Sequence, residues 1–170
     1  MSNTIYGFCD ASVRENSEHT IMSGAIGYMH NQPDGNIKKA VIDSRDACAQ
    51  VNEFDAVIKC IESILTMDFT ETAKIVVYTD QQAILDKIKK NCSKFRKGKG
   101  KGVHGNRHKC RSNRMKKILR LLKENENITI KKVQSHAKDS KKASEVFHNE
   151  VDSMVQAKTL KEFKELKNAG

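Results

Sequence analysis

The chain has 170 residues with 31 Lys or Arg against 21 Asp or Glu, a formal charge of +10. Such a length suits one domain, and 38% hydrophobic residues suffices for a core, which excludes wholesale disorder. No apolar run approaches the ~20 residues of a membrane helix, and the opening Met1-Ser2-Asn3-Thr4-Ile5-Tyr6 lacks a basic start followed by an apolar stretch, so no secretory signal is expected.

In chain order, Ile5 to Asp10 reads as a strand ending on a carboxylate, and Ile21 to His30 as a second strand whose small residues allow close packing. The Pro33-Asp34-Gly35 turn returns the chain into a third strand, Ile37 to Asp43, which makes the first part an antiparallel meander. Asp46 to Met67 has the clearest helical period, with Ala49, Ala56, Val57, Cys60, Ile61 and Ile64 on one face. Glu53 falls on or beside that face, an expensive place for a lone carboxylate. Lys74 to Thr79 is a strand apolar enough for burial on both sides, and Asp80 follows it directly. A helix through Ile84, Leu85 and Ile88 comes next, then a glycine- and lysine-rich loop around residues 98–102. Met115 to Lys123 reads as helix, Ile128 to Val133 as strand, and Ser144 to about Lys158 as helix, extended by a charged tail. The expected fold is therefore α/β, a five-stranded mixed sheet flanked by helices. Residues 1–158 are expected to form the domain and 159–170 a charged helical tail.

The charge is concentrated. Residues 87–117 carry 14 Lys or Arg and no Asp or Glu, which leaves 17 basic and 21 acidic residues elsewhere, a net of −4. An acid-free block of this density on a mildly acidic body is a grip for a polyanion, since each cation displaces a counterion condensed on nucleic acid. Lys94, Arg96, Lys97, Lys99 and Lys101 are its centre, in a protrusion between the second and third main helices. Cys9, Cys48, Cys60, Cys92 and Cys110 are odd in number and loosely spaced, as expected of reduced thiols in a cytoplasmic protein. Cys92, His104, His108 and Cys110 share the basic segment but lack a Cys-x-x-Cys pair, so coincidence is preferred to zinc there.

The acids at the element ends point to chemistry. Asp10 and Asp80 close strands expected to be neighbours, and Glu53 and Asp152 lie on helices that cross the sheet. Each alone has an ordinary role as a turn, cap or surface residue. Together at one sheet edge, four carboxylates would repel one another unless divalent cations neutralised them. A pair of such ions is the usual device for in-line attack on a phosphodiester, so the pattern is that of a metal-dependent nuclease.

These residues resemble type 1 ribonuclease H, the enzymes that cut the RNA strand of RNA–DNA hybrids. The resemblance runs through Phe8-Cys9-Asp10-Ala11-Ser12, Gln50-Val51-Asn52-Glu53, Tyr78-Thr79-Asp80-Gln81-Gln82, Val133-Gln134-Ser135-His136-Ala137 and Asn149-Glu150-Val151-Asp152, over roughly Ile5 to Lys158. It implies a ribonuclease H-like fold and two Mg²⁺ or Mn²⁺ ions held by Asp10, Glu53, Asp80 and Asp152. It also implies a monomer that hydrolyses hybrid RNA to 5′-phosphate products. His136 would assist proton movement or release of product and metal, and Asn16 and Gln50 would touch the hybrid's minor groove. Three features depart from the family. The chain has no Trp and only Phe95 as an aromatic in the basic segment, so phosphate contacts must carry the affinity there. His136 stands 16 residues before Asp152, a longer spacing than usual, and Cys48 and Ala49 replace polar neighbours of Gln50. The alternatives are another nuclease on the same fold, of resolvase or exonuclease type, and a non-catalytic hybrid-binding module.

Overall fold

The computed structural model describes residues 3–44, 49–68, 72–90, 103–134 and 142–170, with side chains omitted over 103–111. Five strands form one sheet in the order β3-β2-β1-β4-β5. β1 (Thr4–Glu15), β2 (Met22–Asn31) and β3 (Ile37–Ser44) are the antiparallel meander. β4 (Lys74–Thr79) and β5 (Ile128–Lys132) run parallel to β1 on its other side. Helices α1 (Ala49–Leu65), α2 (Gln82–Lys89), α3 (Val103–Glu124) and α4 (Ala143–Asn168) complete the expected mixed α/β architecture.

The central strand sorts its side chains between two helical layers. Gly7 lies under α1, where an added Cβ would stand 2.7 Å from the Cys60 sulfur. Even-numbered neighbours turn to the other face: Phe8 packs on Phe147 with ring centroids 5.4 Å apart, and the Ser12 hydroxyl is 3.0 Å from that of Thr159. Gly27, paired with Asp10 across the β1–β2 ladder, lies under α4, and its Cβ would meet Val155 at 2.5 Å. Two missing side chains thus let helices close on both faces of the sheet, as dense packing of a core requires. Val76 and both its neighbours, Ile75 and Val77, are buried, as expected for a parallel strand covered twice.

Helix α1 is buried along most of its length because α3 covers its outer side. Phe54, Ile61 and Ile64 join Met115 and Ile118 of α3 in the main core. The Arg114 Nε donates to Asp55 at 2.8 Å, and Lys117 pairs with Glu62, so the basic segment's last turns are anchored to acids of α1. These ion pairs are partly exposed and contribute modestly to stability.

Two boundaries differ from the sequence reading. The first strand does not end at Asp10. It loses its β4 partner after Phe8 but stays paired with β2 as far as Glu15, because the alternation of the following residues suits a two-stranded ribbon. The third main helix begins at Val103 rather than Met115. Its first turns lack an apolar stripe, so periodicity gives no sign of them.

Candidate active site

Asp10 and Asp80 meet where the sheet divides. The last β1–β4 pair joins Phe8 to Tyr78, and β4 ends at Thr79. Asp10 therefore lies just past the stretch of β1 that pairs with β4, and Asp80 is the first residue beyond β4. The Cys9 thiol donates to the Tyr78 carbonyl at 3.3 Å, and the Thr79 hydroxyl accepts from the Gln81 amide at 3.2 Å, which hold the two strand ends in place. α1 brings Glu53 from one face and α4 brings Asp152 from the other. All four carboxylates line one pocket of about 460 Å³, together with Ser12, Arg14 and Gln156. A larger groove of about 710 Å³ is lined by Tyr6, Phe8, Tyr78 and Phe147, among others, and lacks this concentration of acids.

The electrostatics follow from crowding. Asp10 is only 4% exposed. Burial first, then the charge of Asp80, raises its carboxyl well above the usual range, although the Ala11 amide donates to it at 2.9 Å. Burial also raises Glu53, helped by the charges of Asp10 and Asp80. The Glu53 Oε2 is buried without a hydrogen-bond partner among the described residues. An orphaned carboxylate oxygen among other hard oxygen donors fits a divalent cation of the Mg²⁺ or Mn²⁺ type. Arg14 brings the pocket a positive charge, and its Nε too is buried without a hydrogen-bond partner among the described residues.

The sequence reading missed a fifth group. His148 is fully buried, and one of its ring nitrogens lies within 4.8 Å of carboxylate oxygens of Asp10 and Asp80, which are equally close to each other. It precedes Asp152 by four residues, one helical turn along the same face. That spacing was the available signal, hidden by the neighbouring Asn149-Glu150-Val151-Asp152 segment.

Asn16 and Gln50 are not among the residues that line this pocket. Asn16 sits in the β1–β2 turn, where its side-chain oxygen accepts from the Thr20 and Ile21 amides at 2.9 Å each. Gln50 is exposed on the first turn of α1, three residues from Glu53. His136, Lys94, Arg96, Lys97, Lys99, Lys101 and Cys92 lie outside the described residues, as do the side chains of His104, His108 and Cys110.

The RNase H family model matches residues 2–159. Among solved structures, the fold is similar to LC11-RNase H1, isolated from compost by a metagenomic approach, at 17% identity and a TM-score of 0.64, covering 94% of this chain and 97% of that one. The RNase H domain of prototype foamy virus matches at 16% identity and a TM-score of 0.66, covering 92% of this chain and 93% of that one. LC11-RNase H1 in complex with an RNA/DNA hybrid matches at 16% identity and a TM-score of 0.53, covering 88% and 98%. Against the whole foamy virus protease–reverse transcriptase, the chain covers 90% of itself but spans only 20% of that protein. No curated protein sequence matches. With the family match running from the first strand into α4, across all four acids of the divided sheet, the chain belongs to the RNase H family.

Proposed function

We propose that this protein hydrolyses the RNA strand of RNA–DNA hybrids with two divalent ions, leaving 5′-phosphate and 3′-hydroxyl ends. The observation that carries the reading is the convergence of Asp10, Glu53, Asp80 and Asp152 on one pocket in a member of the RNase H family. A related fold in complex with an RNA/DNA hybrid adds support for the substrate.

Asp10, Glu53, Asp80 and Asp152 would hold the ions. When bound, such ions lower the pKa of water and stabilise charge on the attacking and leaving oxygens. The chain's own residues supply the rest. Burial and mutual repulsion favour the protonated Asp10 and Glu53 carboxyls, and cation binding would favour their charged forms. Arg14, on the strand face of Asp10, is placed to meet a phosphate oxygen without competing for a metal. The basic segment, with Lys94, Arg96, Lys97, Lys99 and Lys101, would grip the hybrid's backbone. His136 would move a proton or help release product, and Gln50 would reach the minor groove. Asn16 would serve the substrate through the turn that it closes. The working unit in this reading is a cytoplasmic monomer.

The test is cleavage of a hybrid with end-group analysis of the RNA fragments. The reading expects 5′-phosphate ends and complete loss of cutting in EDTA; 3′-phosphate ends or metal-independent cutting would overturn it.

A further inference from the structure

The carboxylates alone describe a site of oxygen donors suited equally to Mg²⁺ and Mn²⁺. The structure adds a nitrogen. His148 is 0% exposed, so its ring is fixed by packing against the sheet, and α4 carries it on the face that bears Val151, Val155 and Thr159. Its imidazole shares with Asp10 and Asp80 a volume in which all three ligand atoms lie within 4.8 Å of one another. Separations of that order are what three donors around one ion require, since metal–ligand distances of about 2.1 Å put neighbouring ligand atoms roughly 3–4 Å apart. Asp10 is carried by the β1 backbone and Asp80 by the residue after β4, so both carboxylates face the packed imidazole from fixed elements.

We propose that His148 is a direct nitrogen ligand of the ion held between Asp10 and Asp80, so that this site selects Mn²⁺ over Mg²⁺. The inference deepens the metal-dependent reading above and rests on it. Imidazole is a poor partner for Mg²⁺, which prefers oxygen and keeps its waters, and a better one for first-row transition ions. An all-oxygen set leaves the choice between the two ions to availability. One imidazole in the set shifts it.

The experiment uses the full chain, first stripped of metal, then titrated separately with Mn²⁺ and Mg²⁺ by calorimetry. Electron spin-echo spectroscopy of the Mn²⁺-loaded protein then looks for coupling to a ¹⁴N nucleus. Wild type should show that coupling, and His148→Asn, similar in size, should lose it. His148→Asn should weaken Mn²⁺ binding on the order of tenfold and Mg²⁺ binding by no more than about twofold. Circular dichroism of the metal-free variant checks that it is folded, while the wild-type spectrum needs no variant at all. Mn²⁺ binding without ¹⁴N coupling, or coupling that survives in His148→Asn, would overturn the role of His148 and leave the carboxylate site standing. Equal weakening of both ions in the variant would reduce His148 to a packing residue. No binding of either ion to wild type would instead remove the metal-dependent reading itself.

Discussion

At the scale of single residues, the site is a set of groups that destabilise one another until a cation arrives. Asp10 and Asp80 each serve the proposed reaction by accepting a shared charge, so removing one charge should remove turnover and spare binding. Asp10→Asn and Asp80→Asn are expected to lower kcat about a thousandfold or more, since several kcal/mol of transition-state stabilisation goes with the ions. Hybrid affinity, measured by fluorescence anisotropy, should change little. Asp10→Asn should also raise the Tm of the metal-free protein at pH 8, because it removes buried like-charge repulsion. A gain of about 2–4 °C corresponds to roughly 1 kcal/mol for a chain of this size. The four acids were legible in the sequence because each stands at the end of an element or inside an apolar face. His148 was not. A histidine on a buried helix face has the same pattern whether it packs or ligates, and only the fold brings it to strands more than sixty residues away in the chain.

At the scale of elements, the site depends on how closely α1 and α4 press on the sheet. Gly27 faces Asp10 across the ladder and leaves room for Val155. Gly27→Ala should push α4 outward and cost about 1–3 kcal/mol, as overpacking does. Urea unfolding would report the loss, and reduced kcat would report the displaced Asp152. The other layer carries a pH dependence. His30 is buried between β2 and α1, its Nε2 3.0 Å from the Ser63 hydroxyl and its Nδ1 3.1 Å from the Asn31 carbonyl. Burial lowers its pKa from the usual 6.5. The folded state therefore binds this proton less readily than the unfolded state does. Its stability contribution is full above about pH 6.5 and is lost as pH falls through the lower folded value. His30→Gln should flatten the decline in stability between pH 7 and pH 5, measured by denaturant titration. An unchanged profile would place the acid sensitivity elsewhere. The meander and the buried β4 were legible from alternation and apolar runs. The extra length of β1 was not, since pairing with β4 ends at Phe8 while pairing with β2 alone continues past Asp10 to Glu15. The early turns of α3 were hidden for a different reason: polar and basic residues, mainly Arg, His and Asn, dominate there, and no apolar stripe announces a helix.

At the scale of the whole molecule, charge is divided between an acidic site and a basic segment. α3 joins them physically, since its Arg114 and Lys117, at the end of the basic segment, pair with Asp55 and Glu62 on the helix that carries Glu53. A polyanion gripped by the segment would thus be presented to a pocket that repels it until cations are bound. Replacing Lys97, Lys99 and Lys101 together by Gln should raise KM, leave kcat nearly unchanged, and lower the slope of log KM against log salt by about 2 to 3. A collapse of kcat would instead make those lysines part of the reaction centre. The overall charge pattern was legible from composition alone, whereas the link through α3 needed the structure.

The proposed activity is cleavage of RNA only where it is paired with DNA. The most direct measurement offers the protein a labelled RNA–DNA hybrid, single-stranded RNA, duplex RNA and duplex DNA, each with Mg²⁺, Mn²⁺ or EDTA. The expected result is metal-dependent cutting of the hybrid's RNA strand and of nothing else in the panel. Cutting of duplex DNA, or tight hybrid binding without any cutting in either metal, would contradict it.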